Sequence, residues 1–223
     1  LPMWTLVWHE GMIGRMHHSL VLLIALFLQL AVAPTESIAR DERRELAVPA
    51  DDSWRRPDLV LEALAVQPGE TVVDLGAGSG YYVGPLATLV GRRGTVYATD
   101  IDESSLRGLE GLKATHGFSQ MVIIRGAHQS SGLPPNSVNA VLLSHTLREL
   151  KHPVQFLYNL KQALKRNARI VIVDYHRTDD GFYPPKQRRI ELSEAKRVIH
   201  RAGYRITASK EIPRQYLLIC EPN

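Results

Sequence analysis

The sequence predicts an α/β protein built on a doubly wound, mostly parallel sheet of seven strands, and three observations carry that prediction. Short β-branched runs alternate with helical stretches from residue 54 to the end of the chain. The first run, Thr71-Val-Val-Asp-Leu75, passes directly into a glycine turn, Gly76-Ala-Gly-Ser-Gly80, with helical sequence beyond it. The second, Thr95-Val-Tyr-Ala-Thr99, ends in Asp100. A buried strand that becomes a helix through so bare a loop lets a ligand lie on the backbone, because glycine has no Cβ to hold it away. An acid at the end of the next strand can accept hydrogen bonds from the two hydroxyls of a ribose. Together these features indicate a cofactor that contains a nucleoside.

The remaining elements follow in order. A polar stretch runs to about Asp52, and Ser53 is placed to cap a helix over 57–65. Gln67-Pro-Gly-Glu70 turns the chain into strand 1. The helix after the glycine loop runs to about Val90, and Gly84-Pro85 fits it only within the first turn, where amides lack intrahelical partners. A helix over 103–116 precedes strands over 121–125 and 138–144, and a helix over 153–164 leads to a strand over 169–174. Ser193 is placed to cap a helix to about Ala202, and strands over 206–212 and 215–220 close the sheet as an antiparallel hairpin. There are no internal repeats.

Glycine spacing narrows the cofactor. A nicotinamide or flavin fingerprint places its third glycine where Tyr81 stands. The form found, V-D-L-G-x-G-x-G, resembles motif I of the class I S-adenosylmethionine-dependent methyltransferases. The resemblance covers about Trp54 to Glu221 and implies a Rossmann-like fold, S-adenosyl-L-methionine as cofactor and methyl transfer as the activity. It implies cofactor contacts at Asp74, Gly76, Ala77, Gly78 and Gly80, at Asp100 and Ile101, at Ala127 and His128, and at Ser144. Within the superfamily the chain is similar to a group of secreted bacterial predicted methyltransferases. It shares their W-x-x-P-D-x-V-L-x-A-L opening at Trp54 to Leu64, Glu149 with His152-Pro153, and Pro213-Arg-Gln215 before the last strand. Four positions depart from the pattern. Ala127-His128-Gln129 replaces an acid expected near Gly126, and Asn139 replaces the acid that opens strand 4. Leu164-Lys-Arg-Asn-Ala168 replaces an L-K-P-G-G turn, and Arg148 stands where a histidine is expected.

Ligands of open α/β sheets lie outside the carboxyl ends of the strands. The methyl acceptor is therefore expected near Ser144-His145-Thr146 and Asp174-Tyr175-His176. Methyl transfer is an in-line attack on a sulfonium, driven largely by positioning. An oxygen or nitrogen acceptor also calls for a base, and histidine suits that role near neutral pH. His145 is the first candidate and His176 the second; capping a strand end or packing on the cofactor is the bland alternative for each. His145, Asp174 and His176 are too poor in carboxylates to suggest a metal site, and no metal is expected. Tyr81, Tyr82, Phe182 and Tyr183 could line an apolar wall or simply pack. The loop after strand 4 lacks the N-P-P-Y sequence of amino-methylating nucleic-acid enzymes, and one cysteine is too few for arsenite methylation.

Composition is consistent with a single domain plus an N-terminal extension. A chain of 223 residues, 44% hydrophobic, can bury a full α/β core. The net charge is +4, with basic and acidic residues interspersed, and few aromatics accompany the basic ones, so nucleic-acid binding is not expected. Cys220, the only cysteine, excludes an internal disulfide and a cysteine-built zinc site and reads as a small core residue. Residues 20–33 are apolar apart from Gln29 and follow Arg15, His17 and His18, which is the order of a secretory signal. Met12 or Met16 is a candidate start, and Ala39 closes the preferred cleavage site. The expected organisation is a signal peptide or anchor over 1–39, a linker over 40–53 and a methyltransferase domain over 54–223, in a periplasmic or secreted protein. In the alternative, 20–33 remains as an inner-membrane anchor, and Arg40, Arg43, Arg44, Arg55 and Arg56 hold the domain in the cytoplasm. Two other function classes remain open: a cofactor-binding scaffold without turnover, and a nucleotide-dependent oxidoreductase, which Tyr81 disfavours.

Overall fold

The computed structural model describes residues 54–178 and 184–223, all within one compact unit, Val48–Asn223. The expected signal or anchor, the linker, the Ser53 cap and the aromatic pair Phe182 and Tyr183 lie outside the described residues. Seven strands form one sheet: β1 Thr71–Leu75, β2 Thr95–Asp100, β3 Met121–Arg125, β4 Val138–Ser144, β5 Leu164–Tyr175, β6 Tyr204–Ile212 and β7 Gln215–Pro222. Their order is β3-β2-β1-β4-β5-β7-β6. The first five are parallel, and β7 runs antiparallel between β5 and β6. Helices α1 Pro57–Leu64, α2 Val83–Val90, α3 Glu103–His116, α4 Pro153–Leu160 and α5 Leu192–Arg201 complete the layers.

Strand alternation builds both faces. Val72, Ala140, Leu142, Val171 and Val173 pack with Val60 and Leu64 of α1, Val83 and Leu86 of α2, and Leu109 of α3. Their neighbours Val73, Leu75, Val141, Leu143, Ile170 and Ile172 pack with Phe156, Leu157 and Leu160 of α4 and with Ala195 and Ile199 of α5. Central parallel strands covered on both faces read as continuous apolar runs, which is why they were legible in the sequence. Cys220 is a free, buried thiol whose pKa burial pushes up to about 12, so it is an inert core residue.

Two boundaries differ from expectation. The chain leaves α4 through a 3-10 turn, Lys161–Ala163, and enters β5 at Leu164, not at 169. Without a glycine turn there, the chain stays extended, and Leu164 pairs with Val138 across a register shift. Asn139 fixes this corner: its Oδ1 accepts from the Thr71 amide at 3.0 Å and from Lys165 Nζ at 2.9 Å. An acid is therefore not needed at that position to join β1, β4 and β5. Helix α5 starts at Leu192 after Glu191, with no side-chain cap, so Ser193 lies within the helix.

Candidate active site

The carboxyl ends of β1 to β4 open onto one cavity of about 200 Å³. Its first half is made largely of backbone. Gly76, Gly78 and Gly80 take φ values of +72°, +54° and +80°, which side-chain-bearing residues rarely adopt. Their surroundings differ. A Cβ on Gly76 would strike Thr146 at 2.6 Å, and one on Gly80 would strike Leu112 of α3 at 2.6 Å. One on Gly78 would meet nothing within 4 Å. The loop is pinned to β2 by the Gly76 and Ala77 amides, which donate to the Thr99 carbonyl at 2.8 and 2.9 Å.

Asp100 organises the rim of this half. Its Oδ2 accepts from the Gly78 amide at 2.9 Å, and its Oδ1 accepts from the amides of Ile101 and Asp102 at 2.7 and 2.9 Å. A carboxylate offers about four lone-pair sites, so capacity remains for a ribose hydroxyl. Beneath the loop, Asp74 is buried, and burial, reinforced by the Asp100 charge, raises its carboxyl to about 7. Buried Tyr82 stands beside Ser144; burial pushes its phenol well up, against the smaller pull of that serine. Open space above Gly78, the carboxylate beside it and the adjoining cavity fit a cofactor such as S-adenosylmethionine.

The second half is made of side chains. His145 follows β4 with φ +59°, an uncommon conformation for a non-glycine residue. Its ring stacks on Tyr175 at 4.2 Å and 10°, and Tyr175 in turn stacks on Trp54 at 6.0 Å. His145 Nε2 lies 2.7 Å from Oε1 of the buried Gln215 on β7. Burial lowers this imidazole to about 4; Gln215 opposes the shift, while Arg148 and Arg55 add to it. Arg148, where a histidine was expected, sits 5.6 Å over the Tyr175 ring and pairs with buried Asp174 at 3.3 Å and with Glu149 at 3.2 Å. Thr146 joins the two halves, since its hydroxyl donates to the Leu75 carbonyl at 2.9 Å from the place a Gly76 Cβ would occupy.

Of the residues expected from sequence, Gly76, Asp100, Ile101, Ala127, His128, Ser144 and His145 line the cavity together. Asp74, Ala77, Gly78 and Gly80 form the loop beside and beneath it. His176 is placed elsewhere. It is not among the cavity-lining residues; its Nε2 meets Glu211 of β6 at 2.5 Å, and its ring stands edge-on to Tyr216. Residue 176 lies one step beyond the end of β5, and its amide donates to the Arg214 carbonyl, so it faces the hairpin. Among the described residues no group of three or more His, Cys, Asp or Glu could hold a metal ion. Sequence reading did not mark Gln215, Trp54 or Ser131 as site residues. The first two lie in stretches already noted for resemblance, whereas buried Ser131, which lines the cavity, carries no sequence signal of its own.

Strand order and glycine loop define the class: this is the Rossmann-like fold of the class I S-adenosylmethionine-dependent methyltransferases. Residues 67–210 match the family described as "Methyltransferase domain", and the chain belongs to that family. A crystal structure of an S-adenosylmethionine-dependent methyltransferase from Aquifex aeolicus superposes with a TM-score of 0.74 at 26% identity, covering 79% of this chain and 95% of that one. Another from Mesorhizobium loti, at 15% identity and a TM-score of 0.59, covers 73% of this chain and 95% of that one and shares the fold. Among curated proteins, the chain is 25% identical to a ubiquinone/menaquinone biosynthesis C-methyltransferase of Photorhabdus laumondii, over 55% of this chain and 48% of that protein. An Escherichia coli protein of the same name is 26% identical over the same shares. The chain thus spans about half the length of the curated relatives it matches.

Proposed function

We propose that this protein transfers a methyl group from S-adenosyl-L-methionine to a small or presented acceptor that enters beside His145. One observation carries the reading: the glycine loop, Asp100 and His145 border a single cavity. When bound, the cofactor supplies an electrophilic methyl group on a sulfonium, which the acceptor attacks in line. The remaining acceptor capacity of Asp100 would hold the nucleoside end, and the loop around Gly76 leaves the backbone bare for close approach. His145 meets the acceptor. Its low pKa keeps the ring neutral at physiological pH, and a weak base suffices for an oxygen acceptor because methylation makes the O–H strongly acidic. The name of the curated relatives adds carbon to the candidate acceptor atoms.

The scaffold alternative has one observation in its favour. The turn after β3 presents Ala127, His128, Ser130 and Ser131 to the cavity and no carboxylate. Calorimetry with S-adenosylmethionine, its demethylated product and NAD tests binding, and transfer of labelled methyl to cell-extract fractions tests turnover. Binding of the demethylated product with transfer to a fraction is expected. Binding without any transfer favours the scaffold, and preference for NAD overturns the reading.

We also propose that residues 20–33 direct export, so that expression from Met12 yields a periplasmic protein with its mature end near Arg40. A full-length membrane-bound form, with its domain protected from protease outside the inner membrane, would support the anchored alternative. Among the described residues no helix is long and apolar enough to cross a membrane.

A further inference from the structure

Three segments far apart in sequence meet behind the cavity. The Gln215 side chain lies between the Trp54 backbone carbonyl and the His145 ring, with Nε2 at 3.5 Å from the carbonyl and Oε1 at 2.7 Å from His145 Nε2. A peptide carbonyl can only accept, so the amide nitrogen must face Trp54 and the amide oxygen must face the histidine. An amide oxygen can only accept as well, which requires His145 Nε2 to carry the hydrogen. We propose that Gln215 is a positioning residue: it fixes His145 as the Nε2–H tautomer and leaves Nδ1 as the lone pair that receives the acceptor's proton.

Other contacts agree with this assignment. No residue in the described structure hydrogen-bonds to Nδ1, whereas Nε2 is committed. Stacking on Tyr175 holds the ring plane, and the left-handed backbone at His145 sets its direction. Gln215 is itself buried at the end of β7, where it pairs with Tyr175 of β5 across the sheet. The stacked ring and the glutamine that orients His145 therefore stand opposite each other in one register. Proton balance is simple: an oxygen acceptor's O–H proton moves to Nδ1 as the oxygen–methyl bond forms, and the resulting imidazolium keeps its Nε2–H bond to Gln215. Tuning a histidine through the hydrogen bond on its other nitrogen is a general device of imidazole chemistry.

The inference rests on His145 serving the acceptor, but its test does not need an acceptor. Nitrogen-15 correlation spectra of the imidazole rings in the full chain report the tautomer directly. In the unaltered protein, His145 is expected as the Nε2–H form, remaining neutral to well below pH 6. Arg148, Arg55 and Tyr175 surround the ring and stay in place in each variant, so differences report on residue 215. Gln215→Leu should release the tautomer, giving a mixed population, and reduce turnover by at least roughly tenfold with cofactor affinity unchanged. Gln215→Glu keeps an acceptor at that position and should restore the Nε2–H form, while raising the pH at which the ring charges. An Nδ1–H ring in the unaltered protein, or an unchanged tautomer in a folded Gln215→Leu, overturns the proposal. If Gln215→Leu does not fold, the titration of Gln215→Glu decides alone, and an unmoved midpoint overturns it. Failure of the demethylated cofactor to bind would instead strike the methyltransferase reading and leave the tautomer result standing.

Discussion

The two halves of the cavity are built from different materials. Around β1 and β2, the wall is bare backbone, three glycines and one carboxylate, packed within a short run of sequence. Around β4 it is made of side chains, and His145 there is held from behind by Tyr175, Gln215 and Trp54, which come from three further segments. The first arrangement suits a constant ligand, because a backbone surface keeps the same shape whatever side chains surround it. The second suits a ligand that differs between relatives, because side chains can change without disturbing the loop. Thr146 is where the halves touch, since its side chain fills the space a Gly76 Cβ would take.

Changes confined to one half should leave the other intact, and the largest effect is expected in the glycine loop. Gly78→Arg puts a long side chain beside Asp100, where the backbone lies open. It should abolish binding of the demethylated cofactor in calorimetry, while the left-handed conformation costs only about 1–2 kcal/mol of stability. Retained affinity in a folded variant would mean that the cofactor lies elsewhere. Next in size, His145→Ala should lower turnover by roughly 10²–10⁴-fold with cofactor affinity nearly unchanged. His176→Ala, paired with Glu211 away from the cavity, should keep full turnover. Loss of turnover only in the His176 variant would move the base to the end of β5. Asp100→Ala should weaken cofactor binding by about 1.5–3 kcal/mol, the usual worth of hydrogen bonds to a charged group. An unchanged dissociation constant would show that the carboxylate only orders the amides of Gly78, Ile101 and Asp102.

The same contrast explains what the sequence revealed. The strands were legible because central parallel strands, buried on both faces, cannot hide their apolar runs. The glycine loop was legible because backbone geometry needs particular residues at fixed spacing, and β2 supplies its acid nearby. The acceptor half was legible only one residue at a time. His145 could be named from its place after β4, yet nothing in the sequence pairs position 145 with 215 or 54, because sheet register and a β7 that returns between β5 and β6 bring them together. His145 ranked ahead of His176, yet the sequence could not separate their surroundings for the same reason. Each follows a strand end, but one enters the cavity and the other turns to the hairpin. The extension of β5 back to Leu164 was hidden because Lys165, Arg166 and Asn167 form a polar strand start.

The last expected effect concerns pH and again divides the halves. Asp74, under the glycine loop, has its carboxyl raised from 3.8 to about 7, chiefly by burial. Between those values the folded protein holds a proton that the unfolded chain has lost. Its contribution to stability is therefore fully present below about 4 and is lost as pH rises through 7. His145 acts in the opposite sense. Its ring is lowered from 6.5 to about 4, so stability from that group is present above 6.5 and lost as pH falls through 4. Asp74→Asn removes the first slope and leaves the second. Relative to the unaltered protein, the variant's melting temperature should climb from pH 4 and level off above about 7. Each kcal/mol gained over that rise would read as roughly 2–4 °C for a domain of this size. Melting curves that run parallel at every pH would show Asp74 ionised in the fold, with its charge balanced by a group in the loop. A shift that appeared instead in His145→Ala would place the titrating group in the acceptor half.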